Sequence, residues 1–229
     1  MEVTIWSAII ASTGDRTLAG FSQESYVAYA LWAAFFARIG ANWMYEFRMV
    51  DEIDKGTVNS ILARPVSFYE FYLAQFLGYK MTTSLVSMMV PLTVTFFMTG
   101  PTIHERLPIA LAVQLLYLVL VHTISFTIAS LGLFLNRVHG FTVAKNIGLG
   151  MLTGELYPLD LIPEPIRQYV LWLPFANSVY IPVGYLTGRI GLDQIGKGIV
   201  SILVSLLFFG CLARVVWLAG RRRYSGTGA

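Results

Sequence analysis

The chain has 229 residues, of which 56% are hydrophobic and only 13% charged, with a mean hydropathy of +0.65. A soluble domain carries roughly a quarter charged residues, so this composition excludes a water-soluble globule and points to a polytopic membrane protein. It also excludes disorder, a collagen-like repeat and a disulfide-stapled fold. Much of the net charge of +3 sits in one terminal cluster, Arg221-Arg222-Arg223, which suits anchoring to an anionic leaflet rather than binding nucleic acid.

Apolar runs of about 20 residues are the primary signal, because a lipid-embedded segment must satisfy its own backbone hydrogen bonds and is therefore helical. Residues 1–11 form an apolar run too short to span, and residues 12–24 read as a polar loop. Residues 26–45 make the first full span, interrupted by Arg38 and Asn42. Residues 46–70 are the most charged stretch of the chain. A second span is expected at 78–98, with Lys80 near its start and Pro91 inside it. The third, at 107–135, carries no formal charge and can cross with tilt. A glycine-rich fourth span covers 141–156. Residues 157–198 hold five of the nine prolines, which suggests short half-helices at one membrane surface. Residues 199–219 form the last span. The expected fold is all-α, a single membrane bundle over 1–229 with five full spans and an N-terminal remnant of a sixth at 1–11. That remnant implies about 20 to 30 further residues upstream, enough for one helix.

Orientation follows from the basic residues. With the C-terminus in the cytoplasm, Arg48, Lys55, Arg64, Lys80, Arg137, Lys145, Arg214 and the terminal arginines fall inside or at the inner boundary. Only Arg16, Arg106, Arg167, Arg189 and Lys197 fall outside. Residues 46–70 are then a cytoplasmic loop and 157–198 an outer one.

Within 46–70, the run from Glu52 to Ser67 is the first candidate site. Val58, Ile61 and Leu62, with Asp54 and Lys55 one turn earlier, fit a short amphipathic helix, and Pro65 ends it by driving Arg64 out of the helical region. Such a helix can seat in a groove of another protein or lie on lipid headgroups. Both readings fit the pattern.

Other constellations are weaker. Gly191 to Gly198 nearly matches a phosphate loop but lacks the final Ser or Thr and has no preceding strand. His104, His122 and His139 show no metal-ligand spacing. His122, Ser125 and Ser130 give the third span a polar face, suited to interhelical hydrogen bonds or to substrate contact. Arg38, Asn42 and Glu46 stand at i, i+4 and i+8, so Arg38 is expected to snorkel inward and pair with Glu46; anion recognition is the other reading. Asn146, Gly150 and Gly154 share one face and suit a helix-packing or dimer seam. Glu155 and Tyr157, just before Pro158, sit where that helix should break, and a loop-capping carboxylate fits there. Cys211, the single cysteine, reads as a packing residue.

Glu52-Ile53, Gly56-Thr57 and Leu62-Ala63-Arg64-Pro65-Val66-Ser67 resemble the cytoplasmic loop of bacterial type-2 ABC exporter permeases. Downstream, Gly154-Glu155-Leu156-Tyr157-Pro158-Leu159, Leu161-Ile162-Pro163, Arg167 and Leu173-Pro174-Phe175 resemble that family's segment before its last span. Trp6-Ser7-Ala8-Ile9-Ile10 and Gly20-Phe21-Ser22 resemble the end of its first helix. The resemblance covers essentially the whole chain, which departs from the six-helix family in lacking most of the first helix.

The resemblance implies a permease subunit of an ATP-driven exporter in the bacterial cytoplasmic membrane. It implies pairing with a second permease as a homo- or heterodimer and with a cytoplasmic ABC ATPase dimer. ATP and Mg would be bound by the ATPase, with no cofactor, metal or catalytic residue in this chain. Glu52, Ile53, Asp54, Lys55, Gly56, Thr57, Val58, Ile61, Leu62, Arg64 and Pro65 would form the ATPase-coupling segment. Arg38, Asn42, His122, Glu155 and Tyr157 are candidate pathway or gate residues. A membrane-embedded lipid-modifying enzyme would instead need a convergent nucleophile or metal set, and a non-catalytic scaffold is the third class.

Overall fold

The computed structural model describes residues 23–99, 102–135 and 137–223. The expected remnant at 1–11 and the Trp6 and Gly20 motifs lie outside them. Among the described residues every regular element is a helix. They are α1 (Gln23–Gly40), α2 (Trp43–Asp54), α3 (Asn59–Leu62), α4 (Phe68–Ser87), α5 (Met89–Thr99) and α6 (Thr102–Ser130). After these come α7 (His139–Leu152), α8 (Glu164–Trp172), α9 (Tyr180–Leu186) and α10 (Leu192–Arg223). Short 3₁₀ turns at Leu131–Leu133, Leu159–Leu161 and Pro174–Asn177 join them.

Among the described residues three helical stretches are long and apolar enough to cross a membrane: Phe68–Phe97, Glu105–Leu133 and Leu192–Arg223. These correspond to the second, third and last expected spans. The second begins some ten residues earlier than its hydropathy suggested, because Ser67 caps it. The Ser67 hydroxyl accepts from the Glu70 amide at 3.1 Å, and Glu70 places a carboxylate at the positive end of the helix. Pro91 has no amide to give the Ser87 carbonyl, and the helix breaks beside it at Met88.

The first and fourth expected spans differ more. Helix α1 ends at Gly40, two residues intervene, and α2 carries the chain on to Asp54. Residues 23–54 therefore form one long broken helix. Helix α7 has 14 residues, about 21 Å at 1.5 Å per residue, against a hydrocarbon core of about 30 Å. It stops because Gly154 turns to φ 83°, a left-handed conformation open to glycine.

Two apolar cores result. The larger surrounds Trp32, Phe36, Tyr117, Leu120 and Ile181 where α1, α6, α9 and α10 meet. The smaller lies toward the C-terminal end of α10 and joins Met49, Val50, Ile53, Val58, Ile61, Phe68, Tyr72 and Phe126. Register along α6 orders the bundle: Gly40 lies against Tyr117 and Gly132 against Ile53. The broken first helix thus runs parallel to α6, and its break lies about halfway along it.

Candidate functional site

The charged stretch folds as a turn clamped onto the smaller core. Helix α2 ends in a bend at Gly56, whose φ of 70° is left-handed. The Val58 amide then returns to the Glu52 carbonyl at 2.9 Å. A single helical turn, Asn59–Leu62, follows. The expected continuous helix from Glu52 to Leu62 is therefore two pieces around a glycine corner. Val58 is fully buried and Ile61 is 5% exposed; both point into the chain's own core. Ile61 thus does not supply an outward ridge, and Leu62 is half-buried. Lys55, Thr57, Asn59, Ser60, Ala63, Arg64 and Pro65 are the exposed residues. The outward face of this turn is polar.

Ion pairs brace it from beneath. Arg48 pairs with Glu52 at 3.3 Å and Lys55 with Asp51 at 2.9 Å. His139, at the start of α7, brings Nε2 within 2.9 Å of Asp51 and Nδ1 within 3.7 Å of Asp54, and its ring stacks on Phe47. The Lys55 hydrogen bond holds the Asp51 carboxyl below its ordinary value, with His139 adding to it, whereas partial burial raises that of Asp54. A Cβ at Gly132 would lie 3.2 Å from Ile53 and 3.4 Å from Asp54, so the end of α6 touches the same corner. The turn is tied to α6 and α7 together.

Higher up, the break at Ala41–Asn42 collects polar groups. Lys80 donates to the Arg38 carbonyl at 2.6 Å. That oxygen has lost its helical partner, and a cation suits the negative end of α1. Glu46 is fully buried and paired not with Arg38 but with Lys145 of α7, at 2.5 Å. Lys145 also donates to Ser125 at 3.0 Å, and Asn146 reaches Glu46 at 3.4 Å. Arg38 is exposed and faces a separate cleft beside Tyr79 and Lys80. The reason is the break, which destroys the i, i+4, i+8 register that would have stacked Arg38 over Glu46.

Asn42, Asn146, Gly150 and Glu155 do meet. They line a cavity of about 230 Å³ with Tyr117, Thr153 and Ser178. Both side-chain atoms of Asn42 are buried with no hydrogen-bond partner among the described residues, as is Glu46 Oε1. The cavity therefore has a polar wall where α2 faces α7. His122 stands apart: Nε2 lies 3.1 Å from the Tyr69 carbonyl, and its ring packs against Tyr69 and Phe76. Gly154 does not continue the Asn146–Gly150 face of α7. It follows the helix, where a Cβ would lie 2.8 Å from Tyr180, and its carbonyl accepts from Tyr29 at 3.3 Å. The Tyr157 hydroxyl folds back onto the Met151 carbonyl at 3.3 Å.

The sequence reading missed two residues. Lys145 was placed only at the inner boundary, and its signal was a lysine within an otherwise apolar, glycine-rich run. Asp160 is the other: it pairs with Arg167 and Arg189, each at 3.3 Å, and accepts from the Tyr180 hydroxyl at 2.8 Å. Its signal was a carboxylate in a proline-rich stretch followed by two arginines, Arg167 and Arg189. The loop-like Gly191–Gly198 run lies at the start of α10, where Gly198 packs on Asn177.

Among the described residues no group of three His, Cys, Asp or Glu side chains could hold a metal ion. Residues 1–228 match the family described as ABC-2 family transporter protein. No individual curated protein matches the chain at significance.

Proposed function

The chain belongs to the ABC-2 family of transporter proteins, and from that membership we propose that it is the permease subunit of an ATP-driven exporter. Its partners are a cytoplasmic ABC ATPase dimer, which binds the ATP and Mg, and a second permease as homo- or heterodimer. The protein resides in the bacterial cytoplasmic membrane with its C-terminus inside. The observation that carries the coupling assignment is the polar turn at Lys55–Arg64. Its outward face offers side chains to a partner, while its inward face, Ile53, Val58 and Ile61, is packed against α6. A push on the turn is therefore delivered to the bundle. A helix lying on lipid would turn its apolar residues outward, and these face inward.

In this reading the broken first helix is a membrane crossing whose interruption lies near the bilayer midplane, since Tyr117 and Val121 beside it are central to α6. Discontinuous helices at that depth build polar sites from freed backbone and side-chain groups. The Asn42–Asn146–Glu155 cavity is the corresponding pathway element. The α8–α9 segment enters from the outer side: Arg106, near the outer end of α6, binds the Tyr185 carbonyl at 3.0 Å, whereas Ser178 reaches Gly40. The intervening 11 residues of α6, from Arg106 to Tyr117, are about 16 Å, so the hairpin dips roughly halfway through the hydrocarbon. The cytoplasmic stretch shortens to about Asp51–Ser67, because Glu46 lies beside Ser125 inside the bundle.

Affinity purification in mild detergent, followed by identification of the co-purifying chains, tests the assignment. An ABC ATPase recovered in stoichiometric amount, and lost when Lys55, Ser60 and Arg64 are all replaced by Glu, is expected. Recovery of no ATPase, or recovery unaffected by the triple replacement, would overturn it.

A further inference from the structure

One face of α10 lies open beside the coupling turn. Leu206, Gly210, Arg214, Trp217 and Arg221 follow one another along it, opposite Arg64 and the start of α4, and enclose a cleft of about 730 Å³. The cleft changes character along its length. Leu206 and Gly210 make an apolar end together with Phe126; Arg214, Arg221 and Arg64 make a basic one. The rise from Leu206 to Arg221 is 15 residues, about 22 Å, which matches one leaflet of a bilayer about 40–45 Å thick including its headgroups. None of the three arginines forms an ion pair among the described residues, and all three are exposed. At Gly210 an added Cβ would meet nothing within 4 Å, so the cleft has room where an acyl chain would pass. Trp217, stacked on Phe68 with centroids 5.3 Å apart, forms a rigid wall at headgroup depth.

We infer that this cleft binds an anionic phospholipid of the inner leaflet, its phosphate held by Arg64, Arg214 and Arg221 and one acyl chain laid along Gly210. Charge complementarity identifies the occupant: three unneutralised guanidiniums at the shallow end of an apolar trough suit a molecule with the opposite charge and an apolar tail. Arg64 belongs to the coupling turn, so the bound lipid would bridge that turn to the last helix. The lipid site rests on α10 crossing the membrane and is independent of the ATPase assignment.

Native mass spectrometry of the full chain in detergent, titrated with phosphatidylglycerol and separately with phosphatidylcholine, tests it. Phosphatidylglycerol should be retained preferentially. Replacing Arg64, Arg214 and Arg221 by Gln should weaken it on the order of a hundredfold, at roughly fivefold per arginine. Gly210→Phe, which fills the trough and leaves the charges in place, should reduce retention of both lipids. A control with Arg137, Arg222 and Arg223 replaced by Gln removes the same charge outside the cleft and should retain phosphatidylglycerol. Equal loss in the control would reduce the effect to general surface charge and overturn the site. So would unchanged binding by either cleft variant, or displacement of the lipid by millimolar inorganic phosphate.

Discussion

Lys145→Met removes the ammonium that neutralises Glu46 while nearly preserving side-chain volume. What remains for the Glu46 carboxylate is the Asn146 amide at 3.4 Å and the Ser125 hydroxyl, both neutral, and its Oε1 already has no partner among the described residues. Breaking one side of a buried ion pair costs about 3–5 kcal/mol, because the survivor is left charged and dry. For a chain of this size 1 kcal/mol corresponds to roughly 2–4 °C in Tm, so a fall on the order of 10 °C is expected. Glu46→Gln leaves the Lys145 ammonium with only neutral acceptors, the new amide oxygen and Ser125, and should cost a similar amount. Combining the two leaves a neutral pair of about the original shape, and the double variant should recover most of the loss. Thermal unfolding of the four proteins in one detergent, followed by intrinsic fluorescence, closes this cycle. A double variant whose loss equals the sum of the single losses would refute the pairing, as would a Lys145→Met protein that melts like the parent.

Three further outcomes follow from the same geometry. Gly154→Ala should destabilise the protein by about 1–3 kcal/mol, since a left-handed φ and a contact at 2.8 Å with Tyr180 coincide there; Gly78→Ala, where a Cβ meets open space, should be neutral or stabilising in the same melting assay. Ile61→Asp should lower the melting temperature as well as ATPase recovery, because Ile61 belongs to the inner core, whereas Ser60→Asp should leave melting unchanged. The lowered carboxyl of Asp51 makes its ties to Lys55 and His139 a contribution present above its ordinary value of 3.8 and lost as pH falls through the lower folded value. Hydrogen exchange at the start of α7, corrected for the intrinsic pH dependence, should rise in that acid range in the parent, and should already be raised at neutral pH in Asp51→Asn.

How far the sequence reads depends on whether a feature is local. The spans around residues 107–135 and 199–219 were plain, since an unbroken apolar run has few alternatives in lipid. Ser67, followed by Glu70 after Pro65, is a legible helix start, yet hydropathy placed the span near 78 because Tyr69, Glu70 and Gln75 dilute it. The break at Ala41–Asn42 carries no proline, and a Gly-Ala-Asn step is compatible with a continuing helix; what sustains it is Lys80, which lies 42 residues from the Arg38 carbonyl it binds. Glu46 has its partner 99 residues along the chain, so no pattern within one helix could have distinguished Lys145 from Arg38. The inward turn of Ile61 was equally hidden. A four-residue helix is too short for its apolar side to be read without knowing where the core lies.

The coupling role of the Lys55–Arg64 turn is tested most directly by site-specific photocross-linking in intact cells. A photoreactive residue at position 60 should form an adduct with an ABC ATPase, and the adduct yield should change when ATP is depleted. The same probe at position 172, on the exposed α8 at the opposite end of the bundle, should give none. An ATPase adduct from position 172, or none from position 60 in cells that still export, would contradict the account.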